Sequence, residues 1–177
     1  MNCKNIRLIE PCVELEAEFM AMVREFSIDK DAGEAWRNEQ AITDFTKYVQ
    51  DRLDWKQGKS LPEGWVPVST FWLIRSDNVI LGTSSLRHRL TEQLRNIGGH
   101  IGYNIRPGER KKGYGTLLLM LTLEKAKESG LERVLVTCDD NNIASVKIIE
   151  KNGGVLEDKY FSNELKQSER RYWIDLK

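Results

Sequence analysis

From Val13 to Phe26 the apolar residues Leu15, Phe19, Met22, Val23 and Phe26 recur at the spacing of one helical face. Glu34 to Trp55 continues in helical style. Ile42, Phe45, Val49 and Leu53 fall on one side, while Trp36, Tyr48 and Trp55 lie off that stripe or at its edge. The period then changes. Ser69–Arg75 and Val79–His88 read as two strands joined by a turn at Asp77-Asn78, with Ile6–Glu10 as an earlier strand and His100–Ile105 as a later one. Leu117 to Lys127 is a run of strong helix formers, and Val134–Cys138 is a β-rich apolar run. Asp139–Asn142 supplies a turn and a cap for a short helix over Ile143–Asn152, which Gly153-Gly154 stops. Arg171–Leu176 closes the chain as a strand. Between the second helical stretch and the next strand, Gln57–Pro67 holds two prolines and two glycines and reads as a long loop. The stretch Lys59–Val68, with Trp65 between Gly64 and Val66, is the candidate lid.

The chemistry concentrates at Arg110-Lys111-Lys112-Gly113-Tyr114-Gly115-Thr116, placed between a strand and a helix. The first amides of a helix have no intrahelical partner, and the helix dipole adds partial positive charge there. Such a turn holds phosphate through its backbone alone. Gly113 and Gly115 are expected to allow positive φ and close approach of a bulky anion. The ATP-type loop needs glycines five apart followed by Lys and Ser or Thr, and no such run occurs. The dinucleotide fingerprint also fails, because Gly113-Tyr114-Gly115 is followed by Leu118 where that pattern requires glycine. An organic pyrophosphate held by main-chain amides remains as the expected ligand.

Arg110-x-x-Gly113-x-Gly115, preceded by Ile105-Arg106-Pro107, resembles the pyrophosphate-binding motif of the GNAT superfamily of acetyl-CoA-dependent N-acetyltransferases. The downstream order of strand, Asn142-Ile-Ala-Ser145, helix and Gly-Gly is similar to the second half of that fold, and the resemblance extends over nearly the whole chain. It implies an α+β fold: a mixed, mostly antiparallel central sheet flanked by helices, with the fourth and fifth strands splayed around the cofactor. It further implies that acetyl-CoA binds along Arg110, Lys111, Lys112, Gly113, Tyr114, Gly115 and Thr116, with Asn142 and Ser145 on the pantetheine and phosphate arm. The N-terminal helices and the following loop would form the acceptor wall. In the family the oxyanion donor is a backbone N–H where the fourth strand bulges, which matches Ile105 here. The implied reaction is direct transfer of an acetyl group to a primary amine.

One departure is clear. Many family members place a thiolate-protonating Tyr on the last helix, where this chain has Ile149. A non-catalytic acyl-CoA-binding or sensor domain on the same fold is therefore the alternative to an enzyme. The amine must be neutral when it attacks, so something accepts its proton. The two histidines, His88 and His100, fall roughly opposite each other if their strands pair, and His100 is the candidate base. Both could equally be structural partners across strands, and Glu150 and Asp139 are further candidates.

Composition narrows the class without changing it. A chain of 177 residues, 40% hydrophobic and 31% charged, is expected to form one domain over residues 1–177. Zero formal net charge and the lack of a long basic stripe argue against nucleic acid as a partner. The charge is uneven locally, with four cations and one acid from Arg106 to Lys112. Cys3, Cys12 and Cys138 show no metal spacing, and an odd number without a signal peptide points to reduced thiols in the cytoplasm. No apolar run approaches the ~20 residues that cross a bilayer. No metal is expected, the partners are acetyl-CoA and an amine, and a homodimer is possible.

Overall fold

The computed structural model describes residues 5–29, 43–163 and 166–177. Cys3, Trp36 and the helical stretch expected over Glu34–Ile42 lie outside the described residues. In chain order the strands are β1 (Ile6–Ile9), β2 (Val68–Arg75), β3 (Ile80–Arg87), β4 (Ile101–Ile105), β5 (Arg133–Asp139), β6 (Val155–Ser162) and β7 (Gln167–Asp175). The helices are α1 (Glu16–Ile28), α2 (Phe45–Lys56), α3 (Glu92–Asn96), α4 (Tyr114–Glu128) and α5 (Ile143–Lys151). Two sheets result among the described residues, β1-β2-β3-β4 and β5-β7-β6, and every pairing within them is antiparallel.

The alternation in β2 decides what covers each face. Trp72 and Ile74 pack with Phe19, Met22, Val23 and Phe26 of α1 and with Phe45 and Val49 of α2. Phe71 and Leu73 point the other way, toward apolar residues of α4 that include Leu118 and Leu119. The first sheet is therefore buried on both faces, which is why β2 reads as a nearly continuous apolar run. Polar caps set where the helices begin. Asp44 accepts from the Lys47 amide at 2.9 Å, Thr91 from Leu94 at 3.2 Å and Asn142 from Ser145 at 3.0 Å. None of the described helices is long and apolar enough to cross a membrane.

β4 and β5 are the facing edges of the two sheets, and among the described residues they are hydrogen-bonded to each other only where β4 begins. The His100 N–H donates to the Leu135 carbonyl at 2.7 Å, and the Leu135 N–H donates back to His100 Nδ1 at 2.9 Å. Gly98 N–H donates to Thr137 Oγ1 at 2.9 Å beside them. Gly99 sits in this seam with φ +57°, and a Cβ there would lie 2.4 Å from the Leu135 oxygen. Only glycine permits both the conformation and the approach. Past the seam the strands form no ladder among the described residues, and the gap between the edges of β4 and β5 is the cleft of the candidate site.

His100 is thus a joint, and its chemistry follows from burial. The residue is 7% exposed, and desolvation, with Arg95 and Arg87 nearby, pushes its pKa down to about 4. A depressed histidine pKa means the folded state binds the proton less well than the unfolded chain. The associated stability is complete above the unfolded value of about 6.5 and is lost as pH falls toward 4. His100→Ala leaves the buried Leu135 N–H without an acceptor and is expected to cost about 1–3 kcal/mol in urea unfolding at pH 7.5. His100→Asn, whose Oδ1 can accept the same bond, should retain most of that. Between pH 6.5 and 4, wild type should lose stability relative to His100→Asn by up to about 1.4 kcal/mol per pH unit. Parallel pH curves for the two proteins would contradict a neutral, buried imidazole in the seam.

Candidate active site

One end of the cleft is the turn from β4 into α4. Pro107–Glu109 makes a single 3-10 turn, Lys111 is left-handed at φ +62°, and Gly113 caps α4 at φ +82°. The first helical bond runs from the Leu117 N–H to the Gly113 carbonyl, which places the amides of Tyr114, Gly115 and Thr116 ahead of the helical ladder. These amides and the helix dipole are the groups that the residue order marked out for an anion.

The side chains of the turn are engaged differently from the expectation. Arg110 is held by Asp29 at 2.6 Å, donates to the Ile105 carbonyl at 3.3 Å and lies over the Phe26 ring. Lys112 is held by Glu109 at 2.9 Å and by the Gly108 carbonyl at 2.9 Å. Both cations brace the turn internally. Lys111 is exposed and has no carboxylate partner among the described residues. A further clamp comes from Arg106, which donates to Glu25 at 2.7 Å and to Glu18. Glu25 also accepts from the Gly108 amide at 3.1 Å, and Glu18 from the Ile80 amide at 3.2 Å. Helix α1 therefore fixes the turn through its acids.

Gly115 needs no positive φ, contrary to expectation. It lies within α4, and a Cβ there would stand 2.6 Å from Ile148 Cδ1. Its small size lets α4 and α5 approach each other. Asn152 then ties the two helices by donating to the carbonyls of Thr116 at 3.3 Å and Ile148 at 2.9 Å.

The walls of the cleft come from β4 and α5. Arg87 pairs with His100 and Leu81 bonds Arg106, so the ladder to β3 uses the main-chain groups of Gly102 and Asn104. The parity turns the N–H groups of Ile101, Tyr103 and Ile105 to the open edge. Tyr103 reaches across the cleft and donates its hydroxyl to Ser145 Oγ at 3.3 Å. Burial pushes the Tyr103 pKa up to about 12, so the phenol keeps its proton. Ile149, at the family's Tyr position, is fully buried in the core. Sequence reasoning missed Tyr103; its place two residues before Ile105, on the face opposite Gly102, was the available signal.

On the other face of β4 lies a cavity of about 610 Å³. Its floor follows the strand register: Val68 beside Arg87, then Thr70, Ser85 and Gly102, then Trp72, Thr83 and Asn104. Tyr48, Trp55 and Trp65 wall it, with Trp65 and Trp55 ring centroids 5.0 Å apart. The expected lid loop and the edge of the second helix do therefore face a common space. Neither histidine lines it. His100 is turned into the seam at Leu135 instead of toward the cavity, which corrects its expected place beside the acceptor. His88 is one residue out of register with it and bonds Ser69 Oγ at 2.8 Å. Asp139 accepts from the Asn141 amide at 2.7 Å, and Glu150 accepts from Tyr172 at 3.4 Å. Among the described residues no cluster of three metal-ligating side chains occurs.

Asn142 joins its capping bond to a place at the mouth of the cleft, beside Ser145. Asn142→Ala should cost about 1 kcal/mol of stability as a lost cap. If its free amide also serves a ligand, affinity for coenzyme A should fall beyond that loss. A lowered Tm with unchanged calorimetric affinity would make Asn142 a cap alone.

The fold recurs among solved structures. RimL, a ribosomal L7/L12 alpha-N-protein acetyltransferase in complex with coenzyme A, is 14% identical, with 97% of this chain and 94% of that one covered at a TM-score of 0.75. The microcin C7 self-immunity acetyltransferase MccE, in complex with acetyl-CoA and AMP, is 15% identical, with coverage of 97% and 93% and a TM-score of 0.72. A GNAT family acetyltransferase from Bacillus anthracis is 21% identical, with coverage of 98% and 96% and a TM-score of 0.67. At these identities the likeness is one of fold. Among curated protein sequences none matches significantly. The model of the acetyltransferase (GNAT) domain family matches residues 13–155, most of the chain, and the protein therefore belongs to the GNAT acetyltransferase family.

Proposed function

We propose that this acetyltransferase moves an acetyl group from acetyl-CoA to a primary amine by direct transfer. The observation that carries the reading is the cleft between β4 and β5. It has the α4 amides at one end and, across β4, a cavity large enough for a small acceptor. The pyrophosphate would be held by the main chain from Lys111 to Thr116, because Arg110 and Lys112 are already occupied by Asp29 and Glu109. RimL and MccE, whose structures hold coenzyme A and acetyl-CoA, share this fold and support the choice of cosubstrate.

Two groups suit the reacting end. The Ile105 and Tyr103 N–H groups on the open edge of β4 would stabilise the oxygen that becomes negative when the thioester carbonyl is attacked. The Tyr103 hydroxyl and Ser145 would hold a proton for the departing thiolate, taking the part of the absent Tyr at Ile149. This part-buried hydroxyl pair offers a proton source in place of the missing Tyr, which favours an enzyme over a sensor.

Gly113→Val, which forces a β-branched residue to φ +82°, should weaken coenzyme A binding at least tenfold in calorimetry. Arg110→Ala should act mainly on stability, with affinity changed less than fivefold. Equal affinities for wild type and a folded Gly113→Val protein would refute the main-chain cradle.

Tyr103→Phe and Ser145→Ala test the proton donor. With an identified acceptor, each should lower kcat by about 10²-fold, the lower end for a general acid, while the affinity for coenzyme A stays within about threefold. A kcat within twofold of wild type in both variants would show that the thiolate leaves without their help.

A further inference from the structure

The acceptor class can be read from the charge of the cavity. Arg87 lies on its floor, where β3 ends, and its Nη1 donates to the carbonyls of Gly98 and Gly99, both at 3.0 Å. No carboxylate pairs with it among the described residues, and burial alone pushes its pKa down. Arg52, on the wall, stacks against Tyr48 and Trp55, 4.2 and 4.4 Å from their ring centres. No Asp, Glu or His lines the cavity among the described residues. The remaining polar surface consists of neutral donors and hydroxyls such as Thr70, Thr83, Ser85 and Asn104.

A site for a polycation such as a polyamine or an aminoglycoside needs carboxylates to replace the water its ammonium groups lose. This cavity offers the reverse. A half-buried guanidinium that meets no carboxylate among the described residues is best satisfied by an anion that accepts from its fork. The flat indoles of Trp55 and Trp65 would cover an apolar or planar group beside that anion.

Resting on the acetyl-transfer reading above, we infer that the acceptor is a small amine carrying its own anion, a carboxylate or a phosphate, which docks on Arg87. The amine end then lies along the floor toward Gly102 and Asn104, whose strand edge faces the thioester cleft. The bonds are those of ordinary acetyl transfer: the C–S bond breaks, an amide C–N bond forms, and the amine loses one proton to solvent or a neighbour.

The test compares matched amines with and without the anion, reading thiol release from acetyl-CoA. The pairs are phenylalanine and phenethylamine, tryptophan and tryptamine, and phosphoethanolamine and ethanolamine, with spermidine and kanamycin as polycations. In at least one pair the anionic member should have a kcat/KM tenfold or more above its neutral partner, and the pair in which this occurs separates carboxylate from phosphate. Arg87→Gln should bring that ratio close to one, while Arg87→Lys, which keeps the charge without the fork, should retain part of it. Should Arg87→Gln fail to fold, since it also frees the Gly98 and Gly99 carbonyls, the wild-type ratios decide. Preference for neutral members, or faster turnover of spermidine or kanamycin, would overturn the inference. Binding separates the two readings. If coenzyme A binds and no amine is acetylated, the transfer reading fails by itself. Calorimetry with N-acetylphenylalanine and its amide, at saturating coenzyme A, then decides the anion site. Tenfold tighter binding of the acid supports it, and equal or absent binding overturns it.

Discussion

The structure depends on a seam about one residue long. Two sheets meet where the imidazole and amide of His100 bracket both main-chain groups of Leu135. A second imidazole proton would remove the acceptor for the Leu135 N–H, and a side chain at Gly99 would drive the strands apart. Because β4 and β5 are joined at this end and, among the described residues, form no ladder further along, the edge of β4 beyond it keeps main-chain groups out of any ladder. An exposed sheet edge is ordinarily a liability. In the proposed reaction it is the working surface, flanked by α4 and α5 and crossed by the Tyr103–Ser145 hydrogen bond.

The second constraint is electrostatic. The run from Arg106 to Lys112 suggests a cationic patch, yet α1 and the turn itself supply Glu18, Glu25, Asp29 and Glu109 against it. The pairs are partly exposed and individually weak in stabilising terms. Their effect is geometric, since they fix the turn against α1 and leave the amides of α4 as the main source of attraction for an anion. The pyrophosphate site proposed for this turn would depend less on side-chain identity than on the conformation of Gly113.

Much of this was legible in the order of residues. The Arg-x-x-Gly-x-Gly turn, the strands around it, the Asn142 cap and the Gly-Gly stop all have local physical causes that act within a few residues. Two elements were not legible. Helix α3 has only five residues and no apolar stripe. Strand β6 is mostly exposed and lacks the alternation of a half-buried strand. The roles of Gly115 and His100 also escaped, because each is fixed by a contact far along the chain: Ile148 for the first and Leu135 for the second. Tyr103 was hidden for the same reason, since its partner Ser145 is 42 residues away. Local sequence reports caps and turns well, whereas it is silent about which distant surface a side chain will meet.

The proposed chemistry and the proposed acceptor bear on one another through charge. Attack requires a neutral amine, and no Asp, Glu or His lines the cavity among the described residues. Carboxylates around the amine would raise its pKa and hold it protonated, whereas nearby cations lower it. Among the described lining residues no carboxylate is present to hold the amine protonated. An acceptor with its own anion reconciles the two demands. The anion satisfies the guanidinium and supplies binding energy at a distance from the reaction, while the amine is left among hydroxyls and an amide that can pass its proton to water. The same guanidinium that would repel a polyamine would then select the substrate.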